Sequence, residues 1–465
     1  MSYRSRKLKK LNTNMMPGAI RALGTLKYRI ILEGIMVGLL VGVVISAFRY
    51  SLSELDVLRN VIVGLEELDP ESPVARGLTS ILTLFGAGDD ALMPAFRVLG
   101  LVLLGVFAFL VALFVYTEPY ISGSGIPQVK GELMGRIKTN WLRVLVLKFF
   151  GGIMAISSGL SLGREGPSIQ LGAMVGKGFS RMSGRLKSEE KLLISAGAGA
   201  GLAAAFGAPL AGLVFVLEEL RKDFDPKVLL STMAASVTAE YVSSFVFGLR
   251  PVFTIFAFAK PTLEDYWLIM ILGVILGGLG VVYNKALSIS QNIHSKIKPA
   301  WLKALIAAVI IVIMAKVYPM ALGSGHPLVE LAGSGLASTG LLATLLLIKF
   351  VFCVYSFGTG APGGIFLPLL VLGALTGGLF TSIVTPLMGL PTDSIGFYVI
   401  IGMAGLFASI VLAPLTGIIL ISEMTGALTN LLPLSLVALV SYITAEALGG
   451  VPVYDQLLER ILRNK

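Results

Sequence analysis

The chain has 465 residues, of which 55% are hydrophobic and only 14% charged, and its mean hydropathy is +0.87. Soluble domains carry about a quarter charged residues, so this composition excludes an ordinary soluble domain and points to an all-α polytopic membrane protein. The net charge of +10 could signal nucleic acid, but basic residues at membrane ends account for it more simply.

In chain order, residues 1–29 carry Arg4, Arg6, Lys7, Lys9, Lys10, Arg21, Lys27 and Arg29 with no acid, a basic segment expected on the cytoplasmic side. The first apolar stretch, Ile30–Phe48, lies too far in and lacks a small-residue cleavage site, so it reads as a span and not a signal peptide. The 51–94 segment that follows is acidic (Glu54, Asp56, Glu66, Glu67, Asp69, Glu71, Asp89, Asp90) against Arg59 and Arg76, and reads as an outer loop. Residues 98–117, 350–392, 394–422 and 424–445 are uncharged, and runs of roughly 20 apolar residues are long enough to cross a bilayer. The tail after Tyr454 holds Arg460, Arg463 and Lys465, which predicts a cytoplasmic C-terminus.

Several chemistries have no residues to support them. The single Cys353 excludes an intrachain disulfide or a cysteine metal cluster. His294 and His326 are too few and too isolated for a metal site, and no phosphate-binding Gly-x-x-x-x-Gly-Lys-Ser/Thr loop occurs. No cofactor is expected.

Glycine is abundant, at 54 residues, and Gly-Pro or Ala-Pro breaks interrupt apolar sequence at Gly166-Pro167, Ala208-Pro209, Ala361-Pro362 and Ala413-Pro414. Close helix packing explains many glycines. Broken backbone at membrane depth survives only where protein buries it or a watery cavity borders it.

The breaks repeat. Gly123-Ser124-Gly125-Ile126-Pro127 returns as Gly323-Ser324-Gly325-His326-Pro327, and Leu147-Lys148-Phe149 as Ile348-Lys349-Phe350. Gly163 to Pro167 falls on Gly364 to Pro368, and Ala208 to Gly212 on Ala413 to Gly417, all at offsets of 200 to 205. The chain therefore divides near 250–262 into halves 30–250 and 262–465. Secondary transporters are often built from such repeats, with broken helices meeting at a central site.

Matched positions that differ are the informative ones. Glu165 aligns with Phe366, and an intramembrane acid is a functional candidate by default. Glu218 has a twin in Glu423, whereas Glu219 aligns with Met424 and has none. The runs at Ser124, Glu165 and Ile365 resemble helix starts, whose free N–H groups and partial positive charge form an anion site. Glycine lets the backbone approach an ion closely, and an ionised Glu165 would compete with that ion. Taken singly, a Gly-Ser-Gly-x-Pro run is more often a packing turn. Lys148 and Lys349 read as snorkelling or carboxylate-paired side chains, and Tyr454 as an interfacial anchor.

With Gly-Ser-Gly-Ile-Pro, Gly-Arg-Glu-Gly-Pro and Gly-Ile-Phe-Leu-Pro in that order, the chain resembles the CLC chloride channel and transporter family from about residue 30 to 463. The resemblance implies a fold of two inverted repeats with about 18 tilted and broken helices, assembled as a homodimer. It implies Ser124, Tyr454 and the amides of Ile365 and Phe366 as chloride ligands, with Gly125, Gly166, Gly364 and Lys148 in support. Glu165 would be the gating glutamate and outer proton-transfer group, and Glu219 the inner one. The implied function is H+/Cl− antiport in a bacterial inner membrane, with chloride, protons and lipid as partners. A passive chloride channel is the alternative on the same fold, and an acid-pair intramembrane enzyme the rival of another class. Gln128 and Lys130 depart from better-known bacterial members, which carry acids there, and are expected to alter pairing around Lys148. With about eleven residues after Tyr454, no cytoplasmic regulatory domain is expected.

Overall fold

The computed structural model describes residues 3–63, 80, 89–253, 262–298, 300–389, 391 and 394–463. Among them are 17 α-helices and no strand. They are α1 (Tyr3–Val63), α2 (Asp89–Thr117), α3 (Ile126–Leu133), α4 (Trp141–Ser157), α5 (Glu165–Met182) and α6 (Lys187–Phe206). Next come α7 (Pro209–Phe215), extended by a π-helical turn Val216–Arg221, then α8 (Pro226–Phe247) and α9 (Tyr266–Lys296). The remainder are α10 (Ala300–Val317), α11 (His326–Gly333), α12 (Thr339–Gly358), α13 (Phe366–Met388), α14 (Ile395–Val411), α15 (Pro414–Thr425), α16 (Leu431–Ala447) and α17 (Val453–Arg463). Among the described residues five helical segments are long and apolar enough to cross a membrane, and the protein is an integral membrane protein.

Two expectations about the first third change. Helix α1 begins at Tyr3, well before the predicted span, and runs to Val63. Part of the acidic 51–94 segment is therefore helix, with Arg59 paired to Asp56 at 2.6 Å one turn away. Residues 64–79 and 81–88 of that segment lie outside the described residues, as do residues 254–261 at the predicted join of the halves.

The repeat seen in the sequence recurs as contacts. Helices α5 and α6 pack closely, and so do their counterparts α13 and α14. Gly172 faces the carbonyl of Gly197 in the first pair, and Gly373 that of Gly402 in the second. A Cβ at Gly373 would come 2.5 Å from the carbonyl oxygen of Gly402, so only glycine permits this approach.

Contacts between the halves are reciprocal. The Glu218 carboxylate accepts from the amides of Leu415 and Thr416 at 3.1 and 2.7 Å. Glu423 accepts from those of Leu210 and Ala211 at 3.1 and 2.8 Å. Each acid caps the helix that the other half starts at its Ala-Pro break, satisfying amides that have no intrahelical partner. Backbone pairs follow the same exchange: the Gly123 amide donates to Gly360, and that of Gly323 to Gly159.

The twin lysines are buried and neither snorkels nor meets a carboxylate. Lys148 donates to the carbonyls of Ile121 and Gly123 at 2.7 and 2.6 Å, and Lys349 to those of Ala321 and Gly323 at 2.8 Å each. A turn's unpaired carbonyls and a buried ammonium satisfy each other.

Candidate functional site

Three helix starts converge in the interior. Helix α3 begins at Ile126 after Gly125, whose φ of 93° is left-handed. Helix α5 begins at Glu165 and α13 at Phe366, both without a side-chain cap. Gly163 and Gly364 join the last two through an antiparallel bridge, exchanging N–H···O bonds of 2.7 Å each way. A Cβ at Gly166 would lie 2.5 Å from the Ser124 carbonyl oxygen, and one at Gly364 would lie 2.9 Å from the Gly166 amide nitrogen. Glycine is required at both places because three chain segments touch there.

Amide groups at these starts have no partner within their helices and carry the positive end of each helix dipole, roughly half an elementary charge apiece. The buried Ser124 accepts from the Ile126 amide at 3.1 Å, which leaves its O–H free to donate. The amides of Ile365 and Phe366 head α13, and the Phe366 ring packs between Phe206 and Phe407 at centroid distances of 5.6 and 4.5 Å.

Glu165 is fully buried and folds back beside the glycine bridge, 3.0 Å from where a Gly364 Cβ would be. Backbone amides of Arg164, Glu165 and Leu367 act on its carboxyl group, yet neither oxygen completes a hydrogen bond of ordinary geometry. A buried carboxylate without firm partners is costly, so this group is held loosely where positive dipole ends meet.

Tyr454, near the start of α17, is fully buried, its ring edge-on to Phe215 at 6.4 Å, so it is not an interfacial anchor. Among the described residues its hydroxyl has no hydrogen-bond partner. Two cavities flank the convergence. One, of about 500 Å³, is lined by Ser124, Gln128, His294, Lys303 and Arg460. The other, of about 430 Å³, is lined by Arg49, Arg164, Glu240, Arg250, His326 and Leu367. Basic side chains line both mouths, which favours anions from either direction.

Glu219 lies apart from the three helix starts, on the π-helical turn of α7, a type of turn common at functional positions. It is 1% exposed and accepts from the Lys130 ammonium at 2.7 Å. Lys130 also pairs with Asp455, which is bound in turn by Lys222 at 2.8 Å. Gln128 donates to the Ser122 carbonyl at 2.7 Å. The two departures after the first motif thus leave Lys148 untouched; one braces the motif and the other holds Glu219. The repeat alignment carried the signal for Lys130, because its matched position is Glu330, a reversal of charge.

The structure brings Ser124, Gly125, Glu165, Gly166, Gly364, Ile365 and Phe366 together. Lys148 stands behind them, pinning the turn before Ser124. Such an arrangement supports a small desolvated anion through backbone amides and hydroxyl groups, with one carboxyl group able to contend for the same donors.

Comparison with known proteins agrees with this geometry. A family described as voltage gated chloride channel matches residues 104–446. The chain is 39% identical over 360 residues to the H(+)/Cl(-) exchange transporter ClcA of Vibrio parahaemolyticus, covering 74% of this chain and 76% of that protein. It is 34% identical over 396 residues to ClcA of Yersinia pseudotuberculosis, covering 82% and 81%. The crystal structure of a slow cyanobacterial Cl-/H+ antiporter superposes with a TM-score of 0.83 at 29% identity, covering 94% of this chain and 99% of that one.

Proposed function

Because the chain belongs to the voltage-gated chloride channel (CLC) family, we propose that it works as a secondary active H+/Cl− antiporter, moving chloride across the membrane in exchange for protons. The relatives named as exchangers support this over a passive channel. The observation that carries the reading is the pair of buried, untwinned acids: Glu165 among three helix starts, and Glu219 on the π-helical turn of α7, linked through Lys130 to Asp455 of α17.

In this reading chloride sits against the Ile365 and Phe366 amides and the hydroxyls of Ser124 and Tyr454. Gly125, Gly166 and Gly364 hold the backbones close enough to serve it, and Lys148 braces the turn. Ionised, Glu165 occupies the anion's donors; protonated, it swings away, admits chloride and carries its proton toward the Arg164 mouth. Glu219 exchanges protons with the other side. The ions themselves are the cargo, and no cofactor takes part; the protein transports and does not catalyse a chemical conversion.

Residues 30–250 and 262–465 serve as the two inverted halves, with residues 1–29 and the C-terminus cytoplasmic. The Ser124–Arg460 cavity is then the cytoplasmic mouth. The likeness to bacterial exchangers supports a bacterial inner membrane, and in this reading the protein sits in lipid as a homodimer with one pathway per subunit. Chloride and proton moving oppositely carry current in the same sense, so the membrane potential drives exchange by about 2.3 kcal/mol per charge per 100 mV. Purified protein in liposomes tests the proposal: an exchanger drives protons uphill on a chloride gradient, and a channel does not.

A further inference from the structure

Four charged side chains alternate in sign from the interior to the rim. Glu219 is 2% exposed at its side chain, Lys130 0%, Asp455 28% and Lys222 49%. The Lys130 ammonium is wholly enclosed and shared by two carboxylates, Glu219 from the α7 turn and Asp455 from α17. A buried ammonium needs partners that satisfy its donors, and it favours the ionised form of an acid that it touches. Burial alone would raise the Asp455 carboxyl, but hydrogen bonds from Lys130 and Lys222 outweigh that and hold it below the usual carboxylate range.

We propose that Lys130 is a positioning residue of the proton leg: its ammonium favours the ionised Glu219 carboxylate against the desolvation that opposes it, and Asp455 moderates that pull by competing for the same ammonium. The inference rests on Glu219 being the inner proton-transfer group. The charged groups acting on Glu219 are Lys130 from α3, Asp455 from α17 and Lys222 at the end of the α7 turn, with the Tyr454 phenol close by. Helices α6 and α8 also pack on that turn.

The two partners of Lys130 make opposite demands, so their removal has opposite signs. Without the ammonium, Glu219 is an unpaired buried acid that keeps its proton to higher pH. Without the Asp455 charge, the ammonium serves Glu219 alone, and the acid ionises at lower pH. A purely structural role for Lys130 gives no such opposition.

The experiment measures chloride-driven proton uptake in proteoliposomes at a series of equal starting pH values on both sides, with the full chain. Lys130→Met should shift the proton-transport profile to higher pH and lower proton flux at the wild-type optimum at least tenfold while chloride flux persists. Asp455→Asn should shift it to lower pH, and Lys130→Arg, which keeps the charge in a bulkier planar group, should shift it less than Lys130→Met does. Profiles that stay in place, or that move in one direction for both variants, overturn the inference. If Lys130→Met does not fold, Asp455→Asn on the rim decides it alone: an acid shift supports the proposal, and any other result rejects it. Glu219→Gln in the same assay separates the two levels. Proton uptake retained there rejects the role of Glu219 itself; uptake lost there, with Lys130→Met unmoved, rejects the role of Lys130 alone.

Discussion

Gly163 and Gly364 exchange two backbone hydrogen bonds of 2.7 Å, so the residues two places beyond them, Glu165 and Phe366, begin helices on opposite sides of one bridge. The bridge makes the two positions geometric equivalents, and chemistry alone separates them. Phe366 is clamped between Phe206 and Phe407, while the Glu165 carboxyl group lacks a firm partner. One side of the bridge is an aromatic wall and the other a buried ionisable group.

In the proposed mechanism that contrast makes Glu165 the source of pH sensitivity. Glu165→Ala should give chloride flux that no longer varies with pH and no longer moves protons, read by chloride efflux and proton uptake in liposomes. Retained proton pumping in this variant contradicts the gating role.

Close approach at Gly166 is the second point of vulnerability. In Gly166→Ala the added methyl meets the Ser124 carbonyl oxygen at 2.5 Å, a backbone collision that flexible side chains cannot absorb. Overpacking of this kind costs about 1–3 kcal/mol. The variant should lose thermal stability in detergent and bind chloride at least tenfold more weakly by calorimetry. Unchanged chloride affinity would show that the three helix starts need not touch to bind the ion.

The reciprocal caps should be nearly equal in worth. Glu218→Ala and Glu423→Ala each strip two backbone donors of their acceptor, and loss of a cap costs about 0.5–2 kcal/mol. Glu218→Ala should be the more damaging, because Glu218 also accepts from the Thr416 hydroxyl at 2.7 Å. Thermal unfolding in detergent checks the order, and a neutral Glu218→Ala would contradict the capping account. Neither change should abolish proton coupling, since neither acid belongs to the proposed proton path.

Much of this was legible in the sequence because the duplication supplies its own control. Twinned residues such as Glu218 and Glu423 proved to be structural, whereas Glu165 faces Phe366 across the bridge and Glu219, on the turn after α7, matches Met424. Composition alone exposed the membrane class, and glycine and proline marked the helix starts. The lysines were misread because the carbonyls that hold Lys148 belong to a turn 25 and 27 residues earlier, a contact that local pattern does not encode. Helix α1 extends beyond the predicted span because helices continue into polar sequence outside the bilayer, where hydropathy gives no signal. The Lys130–Glu219 pair, 89 residues apart, needed the fold to be seen.

Whether the two acids make an exchanger comes down to one measurement: proton movement in proteoliposomes under an imposed chloride gradient with no proton gradient at the start. Wild-type protein should drive protons uphill in a fixed ratio to chloride, and Glu219→Gln should pass chloride while leaving protons still. Wild-type chloride flux with no uphill proton movement would contradict the account and leave a passive channel on the same fold.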